Sequence, residues 1–316
     1  MNMNKKIIAT EVGNLIWKIV RFVMLIGLSY ILVYPILYMI SMAVRPNNQV
    51  MDPSVIWIPK SFTIEQFTTA FETMKYSSAF VTTLVMSLVS TVLQLISCSM
   101  VGYGLSRFRF RGSGLLFTLV LLTLIVPSAT ITIPLYFQYK EFSIPIISPI
   151  LDLAFGIKMP EFLSVNMIDS WFVFWLPALT ATGIRSGLYV YIFRQFFRNI
   201  PVEIEEAAMV DGAGFFKTFY RIMVPNASGS YLTVFLFSIV WYWNDTFYTS
   251  QFISRKRTLA KALSNLRGDL GGGNDYFNLT PKIMAGALLF VLPLLLMYIV
   301  LQRYFVQSVE RTGIVG

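Results

Sequence analysis

About six long runs of apolar residues leave this chain very few folds to choose from. A helix rising about 1.5 Å per residue needs about 20 apolar residues to cross a hydrocarbon core about 30 Å thick. Runs near that length occur at Phe22–Ala43, Phe80–Leu105, Leu115–Phe137, Trp171–Phe193, Tyr231–Phe247 and Ile283–Tyr304. In lipid every backbone N–H and C=O must be paired inside the protein, so runs of this length imply helices. The expected fold is an all-α membrane protein of about six transmembrane helices. Only 13% of the residues are charged, about half the share of a soluble domain, and the mean hydropathy is +0.65. The first run is too long for a signal-peptide core and lacks a small-residue cleavage site, so it reads as an uncleaved anchor.

Basic residues set the orientation. Lys5, Lys6, Lys18 and Arg21 precede the first run, and Arg107, Arg109 and Arg111 follow the second. Arg194, Arg198, Lys217 and Arg221 follow the fourth. With this number of spans all three sets fall on one side, which the positive-inside rule makes the cytoplasm, with both termini there. The opposing segments, Arg45–Ala79, Gln138–Ser170 and Tyr248–Lys282, also hold cations such as Arg255, Lys256 and Arg257, but they are longer and weigh less. A net charge of +9 distributed in this way suits lipid headgroups and topology, not nucleic acid. The sequence has no histidine, and Cys98 is its single cysteine. Disulfides within the chain are thereby excluded, and no metal site is expected.

The connection after the fourth run is a polar island with its own pattern. Pro201 suits a first helical turn, and Glu203, Glu205 and Glu206 place negative charge near the positive end of a helix dipole. Ile204, Ala207, Ala208 and Asp211 recur at the spacing of one helical face, where two alanines leave room for another protein surface. Gly212 and Gly214 break that helix. A second short helix, about Phe215–Met223, presents Phe216, Phe219, Tyr220 and Met223 as an apolar stripe, with Lys217 and Arg221 on its polar side and Pro225 ending it. By physics alone this is either an amphipathic connection lying on the membrane or a knob that fits a partner's cleft.

Other classes have little support. An ion-coupled secondary transporter calls for acidic residues buried mid-span and broken helices in repeated halves. A membrane enzyme calls for a base or a carboxylate pair at membrane depth, or a phosphate-binding G-x4-G-K-[ST] loop, and none of these is legible.

Arg194-Gln195-Phe196-Phe197, Ile200-Pro201, Glu205-Glu206-Ala207-Ala208, Asp211-Gly212-Ala213, Ile222-Met223-Val224-Pro225 and Trp243-Asn244-Asp245 follow one another in order. This series resembles the carbohydrate-importer permeases of ABC importers, the maltose type, with Val224 in place of the usual leucine. Tyr34-Pro35, Pro127, Pro134 and the tail from Gln302 to Gly316 extend the likeness to the smaller permease of that group. The segment Phe142–Ser170 is longer than the family pattern. The resemblance implies a single transmembrane domain over residues 1–316, a coupling loop at about 194–226 and a cytoplasmic tail at 305–316. It implies that Glu205, Glu206, Ala207, Ala208, Asp211, Gly212, Phe216 and Pro225 couple to an ATPase. Implied partners are a second permease, two ATP-binding cassette subunits that hold the ATP and magnesium, an extracellular sugar-binding lipoprotein and membrane lipid. No cofactor is expected in this chain, and the expected location is the bacterial plasma membrane. A permease for a non-sugar solute is the alternative.

Sugars are held by aromatic faces and by amide or carboxylate hydrogen bonds. Trp241, Trp243, Asn244, Asp245 and Tyr248 supply both kinds of group near the end of the fifth run. The same aromatics also suit an interfacial belt, and Asn244 and Asp245 equally suit packing between two permeases. Arg185 lies inside the fourth run, where it is expected to face water, a partner or a carboxylate such as Asp169 or Asp245.

Overall fold

The computed structural model of the chain describes residues 2–141, 165–272 and 276–313, with side-chain surroundings for 13–141, 165–272 and 277–304. The prolines Pro145, Pro149 and Pro160, Gly273 and the final residues 314–316 lie outside the described residues, as does most of the long segment between Phe142 and Ser170. So do the side chains of the tail from 305 onward.

The described residues form an all-α membrane protein. In chain order the helices are α1 (Asn2–Ala43), α2 (Glu65–Thr73), α3 (Tyr76–Arg107), α4 (Ser113–Leu122), α5 (Ser128–Lys140), α6 (Phe172–Leu179) and α7 (Ser186–Asn199). There follow α8 (Val202–Val210), α9 (Phe215–Thr218), α10 (Val224–Asn226), α11 (Ser228–Trp243), α12 (Phe247–Phe252), α13 (Leu259–Asp269) and α14 (Tyr276–Gly313). Two compact units emerge, Met1–Thr73 with Leu266–Val291, and Met74–Asn265 with Leu292–Gly316.

The first, second and sixth expected spans are continuous, as the apolar stretches Gly13–Ala43, Tyr76–Arg107 and Phe277–Tyr304. The third and fourth are interrupted. Pro127 has extended backbone (φ −64°, ψ 135°) and separates α4 from α5, because proline has no N–H to continue a helix and restricts the residue before it. The fourth run breaks between α6 and α7, where Ala181 and Arg185 both take positive φ (56° and 59°). The fifth ends as α11 at Trp243 and restarts as α12 at Phe247.

Broken backbone at membrane depth needs polar partners, and α3 supplies them. Apart from Met86 and Tyr103, its buried face is mostly small and hydroxylated: Ala79, Thr83, Ser87, Ser90, Thr91, Gln94, Ser97, Cys98, Ser99 and Gly102. Such a face suits helices that associate in lipid, where close backbone approach and hydrogen bonds replace the hydrophobic drive. A Cβ on Gly102 would lie 2.7 Å from the Cβ of Phe193, so only glycine allows α7 to pass this close. Gln94 Nε2 donates to Ile184 O (2.8 Å) and Ser186 Oγ (2.7 Å), directly at the α6–α7 break. Ser238 Oγ on α11 donates back to Gln94 Oε1 (2.9 Å), and Ser97 Oγ donates to Ala178 O (2.5 Å). The second unit is thus organised around α3, with α6, α7 and α11 packed against it.

Candidate coupling and pathway sites

The coupling connection is two short helices tied down on one side and open on the other. Pro201 precedes α8 with extended backbone (φ −55°, ψ 137°). At its far end Gly212 takes φ +78°, while Gly212 N donates to Met209 O (3.0 Å) and Ala213 N to Ala208 O (2.9 Å). This paired closure with a left-handed residue is the Schellman stop, which favours glycine because it has no Cβ.

The faces of α8 differ from the sequence expectation. Glu205 and Ala208 are buried against the chain itself, whereas Ile204, Glu206, Ala207 and Asp211 are exposed. The two alanines therefore point in different directions, since consecutive helical residues lie about 100° apart. Glu205 is the inward anchor. Arg107 Nε at the end of α3 pairs with its Oε1, and Tyr103 Oη donates to its Oε2 (3.1 Å). The same guanidinium donates through Nη2 to Ile200 O (2.6 Å), just ahead of α8.

The second helix is secured by aromatic packing. The Tyr103 ring lies 5.4 Å from Phe197, 5.3 Å from Phe215 and 5.0 Å from Phe219, centroid to centroid. The expected stripe is split: Met223 is fully buried and Phe219 half-buried, but Phe216 and Tyr220 face outward beside Lys217 and Arg221. Pro225 does not end the helix where expected. A π-helical turn over Phe219–Met223 precedes it and α10 continues through it to Asn226. The wider turn relieves the clash between a proline ring and the carbonyl four residues earlier. The segment Phe215–Asn226 then meets α11 at a bend of 78°. What remains outward is an apolar knob, with Val210 at 87% and Phe216 at 67% exposure, bordered by charge.

The residues expected on the pathway are divided by the fold. Trp243 is buried, edge-on to Phe80 at 6.0 Å, so it offers no open aromatic face here. Asp245 is also buried and holds the first turn of α12, accepting from Thr249 N (2.8 Å), Thr249 Oγ1 (2.8 Å) and Tyr248 N (3.2 Å). Tyr248 is half-buried and stacked with Phe252 at 6.0 Å. Asn244 is exposed, with Nδ2 donating to Val240 O (2.8 Å). Among the described residues Arg185 pairs with no carboxylate: its guanidinium lies 4.4 Å from the exposed Trp241 ring centroid. Both expected carboxylates are engaged elsewhere. Asp245 holds α12, and Asp169 accepts from Ser254 N (2.5 Å) and Arg255 N (3.0 Å). The Arg255 N–H, with the Ser254 hydroxyl and N–H, holds the Asp169 carboxyl below the usual carboxylate range.

Two contacts that hold these sites in place escape sequence reasoning. The Arg107–Glu205 pair joins residues 98 positions apart, and no spacing rule connects them. Gln94 carries a faint signal, as the one side-chain amide in α3, whose only charged residue is the terminal Arg107.

Several helices long and apolar enough to cross a membrane, with a tethered polar connection between two of them, define a multi-pass membrane protein. Residues 98–311 match the binding-protein-dependent transport system inner membrane components, and the chain belongs to that family. It is 25% identical over 284 residues to the trehalose transport system permease protein SugB of Mycobacterium tuberculosis, covering 89% of this chain and 92% of that protein. It is 26% identical over 294 residues to the arabinooligosaccharides transport system permease protein AraQ of Halalkalibacterium halodurans, covering 92% and 93%. Its fold matches a chain from the crystal structure of a bacterial ABC transporter involved in the import of the acidic polysaccharide alginate, with a TM-score of 0.68, 19% identity and coverage of 92% and 96%.

Proposed function

We propose that this chain is a transmembrane permease subunit of an ATP-driven importer that takes up a carbohydrate, preferably an oligosaccharide, delivered by an extracellular binding protein. Residues 1–316 act as one transmembrane domain beside a second permease subunit in a bacterial plasma membrane, with both termini cytoplasmic. Two ATP-binding cassette subunits bind the ATP and magnesium, and this chain hydrolyses nothing. The names of its relatives, which carry trehalose and arabinooligosaccharides, support the substrate class.

One observation carries the mechanism: the outward knob of Glu206, Ala207, Asp211, Gly212, Phe216 and Tyr220 is fixed from behind by Glu205, Arg107 and Tyr103. A knob that is gripped outside and rigidly tied to a spanning helix passes on displacement instead of absorbing it. Closure of the ATPases draws the knobs together and rocks the helices between two states. Ala208 and Pro225 act from behind, Ala208 by packing inward and Pro225 by setting the turn into α11. On the pathway, Arg185 and Trp241 form the open cationic and aromatic pair, with Asn244 and Tyr248 nearby in sequence. Trp243 and Asp245 hold that end of the helix in place.

The experiment replaces Ala207 with Trp and Phe216 with Asp, separately, and measures co-purification of the ATPases and ATP-driven uptake. Both fall sharply if the knob docks, while heat stability of the permease stays near wild type. Full co-purification with both variants would refute the docking role.

A further inference from the structure

The open pair on the pathway, Arg185 and Trp241, joins two separate elements. Arg185 directly precedes α7, Trp241 lies near the end of α11, and both are exposed. Holding two exposed side chains in one geometry costs conformational entropy. A guanidinium kept 4.4 Å from an indole centroid therefore depends on how firmly the two backbones behind it are held.

Those backbones meet at one side chain. Gln94 on α3 is fully buried. Its Nε2 donates to Ile184 O (2.8 Å) and to Ser186 Oγ (2.7 Å), the residues on either side of Arg185. Ile184 O belongs to the planar peptide unit that ends at Arg185 N, so this bond fixes the plane from which Arg185 departs. Arg185 takes φ 59°, ψ 19°, a left-handed conformation that a residue with a Cβ disfavours and that persists only where its surroundings enforce it. Its carbonyl accepts from Leu188 N (3.0 Å) and so begins α7. At the other end of the amide, Ser238 Oγ donates to Gln94 Oε1 (2.9 Å). Ser238 lies three residues before Trp241 on α11, a spacing that makes the two neighbours on the helix surface.

An amide suits this position because it donates and accepts at once. Ile184 O can only accept, so the NH2 end of Gln94 must face it, and that orientation turns Oε1 toward the Ser238 hydroxyl. An ionised carboxylate has no donor for Ile184 O, and an apolar side chain of the same length serves neither arm. Ser186 and Ser238 are buried within this chain, so the clamp is complete without a second permease. The same helix holds the coupling knob through Tyr103 and Arg107. One element thus carries both the knob and the clamp.

Resting on the reading of Arg185 and Trp241 as a solute contact, we propose that Gln94 is the positioning residue of that contact. Its amide sets Arg185 through Ile184 and Ser186, and sets Trp241 through Ser238, so that cation and ring meet.

The test needs no solute. A single fluorotryptophan is incorporated at position 241, or at the buried position 243 as a control, and its fluorine resonance is recorded in the assembled complex in phosphatidylcholine–phosphatidylglycerol nanodiscs. Arg185→Ala marks where the resonance of the 241 ring falls without its cation. Gln94→Met keeps the side-chain length and removes the hydrogen bonds to Ile184, Ser186 and Ser238. It should move the 241 resonance most of the way to that mark and leave the 243 resonance near its wild-type position. Ser238→Ala, which removes only the α11 arm, should move the 241 resonance in the same direction by less, and it decides the matter alone if Gln94→Met does not assemble. A 241 resonance unmoved by these variants would overturn the proposal, as would one unmoved by Arg185→Ala. Equal shifts at 241 and 243 would also overturn it, since they mark general loosening. Uptake plays no part in this readout, so its failure is distinct from failure of the pathway reading, which the uptake of Trp241→Ala decides.

Discussion

Two polar islands in this chain, residues 201–226 and 241–248, look alike in sequence and are used in opposite ways. In the first, the charged side chain Glu205 turns inward to Arg107 and Tyr103, and aromatic Phe216 and Tyr220 turn outward. In the second, aromatic Trp243 and the carboxylate of Asp245 both turn inward, while Trp241, Asn244, Thr246 and Phe247 remain open, with Arg185 against Trp241. Position relative to the bilayer explains the contrast. Outside the membrane an apolar knob is useful if something grips it, and a buried ion pair holds it in place. At membrane depth an unpaired carboxylate is costly, so it is spent on capping a helix.

The largest effect should separate neighbours in the first island. Glu205→Ala leaves the Arg107 guanidinium, 11% exposed, without its partner, a change that typically costs about 3–5 kcal/mol. Glu206→Ala, one residue on and exposed, should leave unfolding temperature nearly unchanged while weakening coupling. Thermal unfolding of both variants, beside ATP-driven uptake, checks the pair. Equal destabilisation would break the distinction between anchor and contact.

In the second island Trp243→Ala and Trp241→Ala should diverge. The first empties a buried site, at about 3–5 kcal/mol, and should lower complex yield whatever sugar is offered. The second removes only an open ring and its contact with Arg185, worth about 0.5–1 kcal/mol at an exposed site, so assembly should persist while uptake falls several-fold. Measuring yield and uptake together decides it. Normal assembly of Trp243→Ala would restore it as a candidate for substrate contact.

Gly212→Val should produce a smaller loss. A β-branched residue held at φ +78° costs about 1–2 kcal/mol, and the strain falls on the turn between α8 and α9. ATPase activity should then proceed with reduced transport, measured as solute moved per ATP hydrolysed. Asp169→Asn should have the smallest effect. Its carboxyl titrates below the usual range because the folded state donates hydrogen bonds to it. Its contribution is therefore present above the ordinary carboxylate pKa and fades as pH falls through the lowered one. The stability difference from wild type should vanish in acid, as a pH series of unfolding temperatures would show.

Much of this was legible in sequence, and the failures have physical causes. The apolar runs gave the helical membrane class, and the Pro201 to Gly212 pattern gave a helix and its stop. Periodicity did not say which face of α8 meets the protein, because Ala207 and Ala208 are equally small and only the Arg107–Glu205 pair sets the rotation. Pro225 has the residue type of a terminator, yet a π-helical turn absorbs it. The runs around Pro127 and Arg185 read as unbroken because hydropathy reports composition alone. The partners that make those breaks tolerable, such as Gln94, lie about 90 positions away in sequence.

The central claim is that residues 201–226 form a rigid knob gripped by an ATPase, and a photo-activated cross-linker at Phe216 in intact membranes tests it most directly. The account predicts one dominant adduct, with an ATP-binding cassette subunit, and retention of that adduct when the label is moved to Ala207 but not to Ala208. Adducts with lipid alone, or equal yields at Ala207 and Ala208, would contradict it.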